Sequence, residues 1–537
     1  RTACGWSPNR WSSAWTCASR ALGHYGSILS SSEKKDDQRV SLMLHLFRTK
    51  SVEQTIAETG EEGHELKRNL KWWDLAIMGV AVAVGAGIFS VGAQAAAFHA
   101  GPAVIISFII AGVVCGAAVM CYAEFASMIP VAGSAYTFTY TTVGEIVAWI
   151  IGWDLILEML MAGSVISKYW GVYLNDFFDL MGWDFDTHLA IGPFTIDVAP
   201  AVIVAFFTTL LVFGTKLGAR VDGAMTVLKI AIVLFVVIVG FFSVKAENFT
   251  PFIPPSEPST SSEAVMNQPL WQWVTGMTPS IYGVPGILSG AALVFFAFLG
   301  FDVVATASEE AENPKRNVPL GIGVGLVLVV VLYMLVAVVT TGMVSYKDLA
   351  AQPDPSLATA FELVGATWAA KVISFGIVLG LATVIMVLLL GVTRVVFAMS
   401  RDGLLPRGLS NTGKHGTPVA LQIIMGVFMA TVAACFDISM LSDMVNIGTL
   451  SAFTLVAISI PIMRRRRPDL PRVFRVPGNP WVPVLIALAN LWLMVNLSVV
   501  TWLRFVVWLV IGFVIYFGYG YRHALLGRGE LAESANG

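Results

Sequence analysis

The chain has 537 residues, of which 56% are hydrophobic and 13% charged. Soluble domains carry roughly 25% charged residues, so this composition excludes an ordinary soluble protein and points to an integral membrane one. The formal net charge of −2 says less than where along the chain the positive charges fall.

Residues 1–42 look foreign to the rest of the chain. They begin with Arg1, are rich in Ser and Trp, show no helical period and lack the compact apolar core of a secretory signal. An unstructured, non-native extension is expected there, with the natural start near Met43. From Ser51 to about Leu70 the composition turns polar and charged, and residues 43–72 are expected to form a cytoplasmic segment with one short surface helix. Lys67, Arg68 and Lys71 stand just before Trp72-Trp73, which places this end on the cytoplasmic side with the tryptophans at the interface.

Apolar runs of about 20 residues, the length needed to cross a bilayer as a helix, predict twelve spans within residues 73–520. They fall near 73–97, 102–128, 145–172, 198–215, 221–244, 286–306, 319–343, 371–393, 418–436, 440–463, 480–499 and 502–520. The even-numbered loops carry Lys216, Arg220, Lys315, Arg316, Arg394, Arg401, Arg407, Lys414 and the run Arg464 to Arg467. The odd-numbered loops carry fewer basic residues and several acidic ones, such as Asp176 and Asp179. That asymmetry predicts a multi-pass protein with both termini, including the tail 521–537, in the cytosol.

Span one contains Val84-Gly85-Ala86-Gly87-Ile88-Phe89. Glycine in a helix interior costs up to ~1 kcal/mol, and two so close predict a break. A broken helix at membrane depth is tolerated where its freed backbone lines a protein cavity. The N–H groups heading the second half then favour an anion, and the carbonyls ending the first half a cation. An amino acid carries both charges on adjoining bonds. Span six repeats the anomaly in Phe295-Phe296-Ala297-Phe298-Leu299-Gly300-Phe301-Asp302. Breaks five spans apart imply two five-helix halves of opposite orientation, the inverted-repeat plan of secondary transporters. Taken singly, either glycine cluster is equally well explained by close helix packing.

These two segments, the run Glu309-Glu310-Ala311-Glu312-Asn313-Pro314-Lys315-Arg316-Asn317-Val318-Pro319, and Thr393-Arg394-Val395-Val396-Phe397-Ala398-Met399-Ser400-Arg401-Asp402-Gly403-Leu404-Leu405-Pro406 resemble the cationic amino acid transporter family. That family belongs to the amino acid–polyamine–organocation superfamily. The match runs from about Leu46 to Tyr521, and the twelve spans look like its bacterial branch. The resemblance implies an all-α membrane protein of the leucine-transporter fold, a 5+5 inverted repeat plus two extra transmembrane helices. It also implies a substrate site made of backbone. The α-carboxylate would rest on N–H groups near Ala86, Gly87 and Ile88, with Gly85 of the same break also among the substrate-binding residues. The ammonium would meet carbonyls near Ala83, Val84, Phe296, Ala297 and Leu299, with the Phe296 ring as a gate.

Lys229 lies about eight residues into span five, ~12 Å deep, too far in to reach water easily. A lysine at the bilayer centre costs roughly 2.5–3.5 kcal/mol and should face the protein interior. By the resemblance, its ammonium sits where sodium-coupled relatives hold sodium and bridges spans one, five and eight. This implies proton coupling, the alternative being a tether that never titrates. Glu158, ~20 Å into span three, matches an acidic position of the family and is the second candidate for proton handling; its alternative is a hydrogen bond to a neighbouring span. Asp154 lies one turn below it, and Asp302 is placed to pair with the inner half of span one. Lys168 departs from the family pattern. Facing the pocket it would disfavour cationic side chains; reaching the outer interface it would merely snorkel.

Arg464 to Arg467 read as a topogenic cluster beside a span rather than a phospholipid or nucleic-acid patch. No Gly-Lys-Ser/Thr follows the Gly-rich stretches, and no nucleophile stands with a base, so neither nucleotide binding nor enzymatic catalysis is expected. The cysteines form no disulfide framework, and no histidine lies mid-span, so no metal or other cofactor is expected. The expected function is import of L-amino acids across the plasma membrane by a secondary active permease, a proton symporter working by alternating access. Sodium-independent exchange of amino acids or polyamines, or a non-transporting amino acid sensor, are the alternatives. The choice between cationic and neutral substrates stays open.

Overall fold

In lipid the backbone must satisfy its own hydrogen bonds, so the apolar runs have to be helical. The computed structural model describes residues 48–50, 70–128, 134–183, 187–191, 194–213, 218–258, 264–278, 280–301, 304, 311–352, 355–411, 417–468, 472 and 474–528. Residues Thr49–Gly537 form one compact unit. The expectations for residues 1–42, for the surface helix ahead of Trp72 and for Asp302 lie outside the described residues.

Among the described residues six stretches are long and apolar enough to cross a membrane: Gly87–Phe125, Glu145–Leu180, Arg316–Met343, Thr367–Arg401, Ile438–Arg466 and Val499–His523. Six shorter apolar helices are Trp72–Ala83, Val198–Val212, Met225–Phe241, Gly283–Phe298, Val419–Cys435 and Trp481–Val495. Two of the shorter ones, Trp72–Ala83 and Gly283–Phe298, are short because their spans are interrupted.

In chain order the helices include α1 (Trp72–Ala83), α2 (87–100), α3 (Val104–Met128), α4 (Ser134–Thr142) and α5 (Glu145–Leu180). They continue with α6 (Val198–Phe213), α7 (Gly218–Phe241), α8 (Gly283–Val294), α9 (Pro314–Met343), α10 (Tyr346–Ala350) and α11 (Leu357–Leu363). After these come α12 (Thr367–Arg401), α13 (Val419–Cys435), α14 (Ile438–Arg466), α15 (Trp481–Val495) and α16 (Val499–Ile515). α5 packs on α12 and α14, while α9 packs on α1 and α3. Small residues permit these crossings: a Cβ on Gly112 would press 2.8 Å from Val330 Cγ2, and one on Gly152 would sit 2.7 Å from Met399 Sδ.

The chain is mostly helical, as an all-α membrane protein requires. Two small antiparallel ladders occur in loops at the Gly283 end of the bundle. β1 (His188–Ile191) pairs with β2 (Phe194–Asp197), and β3 (Glu257–Pro258) with β4 (Ser280–Ile281). These loops leave the helical runs, and their backbone finds partners across a hairpin instead.

The opposite end, where α1 begins, is held by buried charges. Glu124 of α3 accepts two hydrogen bonds from Arg464 at 2.8 and 2.6 Å and a third from the Val476 N–H at 2.7 Å. Arg472 stands 4.0 Å away. Lys50 and Asp402 pair at 3.2 Å with both side chains buried, and Tyr136 of α4 donates to the same carboxylate at 2.8 Å. Glu145, at the head of α5, accepts from Tyr140 and Tyr516.

Candidate functional site

α1 closes with the Val84 N–H donating to Val80 O at 2.9 Å, and Val84 itself leaves helical geometry at φ −71°, ψ 87°. The helix resumes from Ala86 as a π-helical turn, Gly87–Val91. Extra residues in a turn are rare and occur mostly at functional sites. α8 ends comparably. A 3₁₀ turn over Phe295–Phe298 leads to extended Leu299 and to Gly300 at φ +97°, a left-handed backbone that favours glycine.

The two interruptions face each other. A Cβ on Gly87 would overlap the Ala297 backbone, and one on Gly300 would overlap the Val82 side chain. Gly85 differs: a Cβ there would meet nothing closer than 3.9 Å, with Val384 of α12 at 4.0 Å. The room beside the break is therefore at Gly85, on the α12 side.

The last carbonyls of a helix lack intrahelical partners, and those of α1 have specific ones here. Lys229 of α7, buried, donates from Nζ to Ala81 O at 3.1 Å. Its stem runs against α12, where a Cβ on Gly380 would stand 2.9 Å from Lys229 Cγ. A cation at a helix C-terminus is favoured by the peptide dipoles. The Tyr333 hydroxyl of α9 lies 2.6 Å from Ala83 O and 2.7 Å from Ala297 O, so one proton is shared between the carbonyls of the two breaks. Phe108 and Phe298 hold its ring edge-on or tilted at 5.8 and 5.3 Å. On the other side of the break the Tyr173 hydroxyl of α5 donates to Phe89 O at 2.5 Å and accepts from Ser90 Oγ at 3.2 Å, which anchors the π-helical turn.

Ala83, Gly87 and Ala297 are thus brought together, with Lys229 joined through Ala81. Val84, Gly85, Ala86 and Ile88 lie along the same break, all buried. Phe296 and Leu299 sit on the α8 side, where the Leu299 N–H donates to Phe296 O at 3.3 Å. Phe295 meets Phe453, and Phe298 meets Phe108 and Tyr333, but Phe296 stacks on no ring among the described residues. Glu158 is buried on α5, and one turn away Asp154 accepts from Ser451 of α14 at 2.7 Å. Lys168 reaches Asp197, at the end of β2, at 3.9 Å.

Tyr333 and Tyr173 were not singled out from the sequence. A signal was present for Tyr333: a phenol amid Val329-Val330-Val331-Leu332 must find an acceptor inside the bundle. Its two acceptors come from other helices and leave no local trace.

The profile of the family described as amino acid permease matches residues 70–520, the part of the chain that holds both breaks and all of these contacts. The chain belongs to the amino acid permease family. It is 41% identical over 491 residues to the branched-chain amino acid permease BcaP of Bacillus subtilis, covering 90% of this chain and 99% of that one. It is 37% identical to the methylthioribose transporter of the same organism, covering 90% of this chain and 100% of that one. It is also 37% identical to the vacuolar cationic amino acid transporter 2 of Arabidopsis thaliana, over 79% of this chain and 64% of that one. This permease is a multi-pass membrane transporter and not an enzyme.

Proposed function

We propose that this permease imports neutral, apolar L-amino acids by alternating access, coupled to protons, across a plasma membrane with both termini in the cytosol. The observation that carries the reading is the meeting of two interrupted helices, tied through Tyr333 at the Ala83 and Ala297 carbonyls. Carbonyls at the end of α1 and N–H groups at the head of α2 offer opposite partial charges a few residues apart, as a zwitterion requires. In this reading the carboxylate rests near Gly85, Ala86, Gly87 and Ile88. The ammonium lies near Ala83, Val84, Ala297 and Leu299, in competition with the Tyr333 hydroxyl, and Phe296 covers it. The break segments 84–91 and 294–301 carry no charged side chain. A neutral substrate suits them, as the name of the 41% identical relative also suggests.

The Lys229 ammonium at Ala81 O supplies a fixed cation at the end of α1, which removes the need for sodium. Glu158 and Lys229 are the groups assigned to proton handling. The placement of basic residues in the even-numbered loops supports the cytosolic termini. A second reading, transport of a neutral thiosugar, draws on the 37% identical methylthioribose transporter.

Reconstitution in vesicles tests these statements. Inward-directed proton gradients in sodium-free buffer should drive accumulation of radiolabelled L-leucine. Sodium-dependent, proton-independent uptake would overturn the coupling. Uptake only into vesicles preloaded with amino acid would make the protein an exchanger, and uptake of methylthioribose without leucine would replace the substrate class.

A further inference from the structure

At the Gly283 end of the bundle, the β3–β4 ladder and α10 border an open, shallow cavity of about 380 Å³. Glu257, Tyr282, Tyr346, Lys347, Ala350 and Ala351 line it. Small-molecule sites start at about 300 Å³, so the space suffices for one amino acid. Glu257 and Lys347 carry opposite charges and are exposed, yet among the described residues neither is in an ion pair. The rings of Tyr282 and Tyr346 meet edge to face at 5.1 Å and form an apolar wall. Burial pushes the Tyr282 phenol up to about 12, with Tyr346 and Glu257 adding to the effect, so it stays a neutral donor.

The cavity is fastened to the first interrupted span. The Tyr282 hydroxyl donates to Ala97 O at 2.6 Å, and its N–H to His99 O at 2.9 Å. Tyr282 has φ 60°, ψ −172°, a conformation almost reserved for glycine. Such strain persists only where the surroundings over-determine it, and it gathers at ligand clamps and switch regions. The next residue, Gly283, donates to Pro254 O at 3.0 Å, which locks the turn over the end of α2.

We propose that this cavity is a second, shallower amino acid site, in which Glu257 receives the α-ammonium, Lys347 the α-carboxylate and the two tyrosines an apolar side chain. An acid and a base that share a cavity without pairing are answered together by a zwitterion. An amine or an acid alone satisfies one of them. The site's place on the transport route rests on the carrier reading; its existence as a binding site does not. Held at the outer end of α2, it raises the local concentration of substrate ahead of the breaks, as charged clefts do for their ligands.

Equilibrium binding of radiolabelled L-leucine to the purified full-length chain, carried to millimolar concentration, tests the proposal. Two molecules per chain are expected. Glu257→Gln and Lys347→Met, both at exposed positions, should each weaken the shallower site about tenfold, the loss of one hydrogen bond to a charged group. The amine 3-methylbutylamine should compete at that site in wild type but lose its effect in Glu257→Gln, and 4-methylpentanoate should do the same with Lys347→Met. A single site unaffected by either substitution overturns the proposal, and vesicle uptake by the same preparation then shows that the carrier reading stands. Leucine binding that both substitutions weaken, without any vesicle uptake, leaves the cavity in place and sinks the carrier reading.

Discussion

The middle of the bundle and the end where α1 begins are both buried, but they meet their polar demands differently. Around the breaks, phenols and an ammonium meet the free carbonyls: Tyr333 at Ala83 and Ala297, Tyr173 at Phe89, and Lys229 at Ala81. At the α1 end, carboxylates are met by full cations: Glu124 by Arg464 and Asp402 by Lys50. A hydrogen bond between neutral groups contributes roughly 0.5–1.5 kcal/mol net and can be exchanged for one to a ligand. Removing one partner of a buried ion pair costs about 3–5 kcal/mol. Weak dipoles therefore suit a place where a bound ligand can replace a partner, and ion pairs suit segments held in one arrangement.

The sharpest way to break this comparison is steric. Gly87→Leu should abolish leucine uptake, because the side chain would enter the Ala297 backbone, whereas Gly85→Ala should retain most of it, since nothing lies within 3.9 Å of the added carbon. Equal loss in both would deny any difference between the two positions. Next in size is Arg464→Met, which leaves Glu124 with Arg472 at 4.0 Å and the Val476 N–H. It should lower stability by about 3 kcal/mol, read as a fall in unfolding temperature in detergent, and Arg464→Met with Glu124→Gln together should recover part of it. The smallest effect belongs to Tyr333→Phe, which leaves two buried carbonyls short of one donor and should cost about 1–3 kcal/mol. If the breaks work by exchanging partners, this variant should raise the leucine KM or slow uptake more than it lowers the unfolding temperature. A large thermal shift with normal uptake would make Tyr333 merely structural.

What the sequence made legible was what lies close along the chain. Paired glycines in an apolar run mark the stop at Val84-Gly85, the glycine after Phe298 marks the left-handed turn of the other break, and depth alone places Lys229 inside. The partners were not legible, because they are remote. Glu124 and Arg464 are separated by 340 positions, and Arg464 on its own reads as a topogenic charge beside a span. Lys168 had two readings, pocket or interface, and neither foresaw its approach to Asp197 at 3.9 Å. The π-helical turn at Gly87–Val91 has no composition of its own, and its tie to Tyr173 at Phe89 O comes from a remote helix.

The contact between Gly87 and Ala297 leaves no space for even one more carbon, so evolution has little freedom to retune cargo preference at either of those two positions. Drift must instead act on walls contributed by other helices, such as Val384 opposite Gly85. A change of cargo made at such walls would leave the Gly87–Ala297 contact untouched.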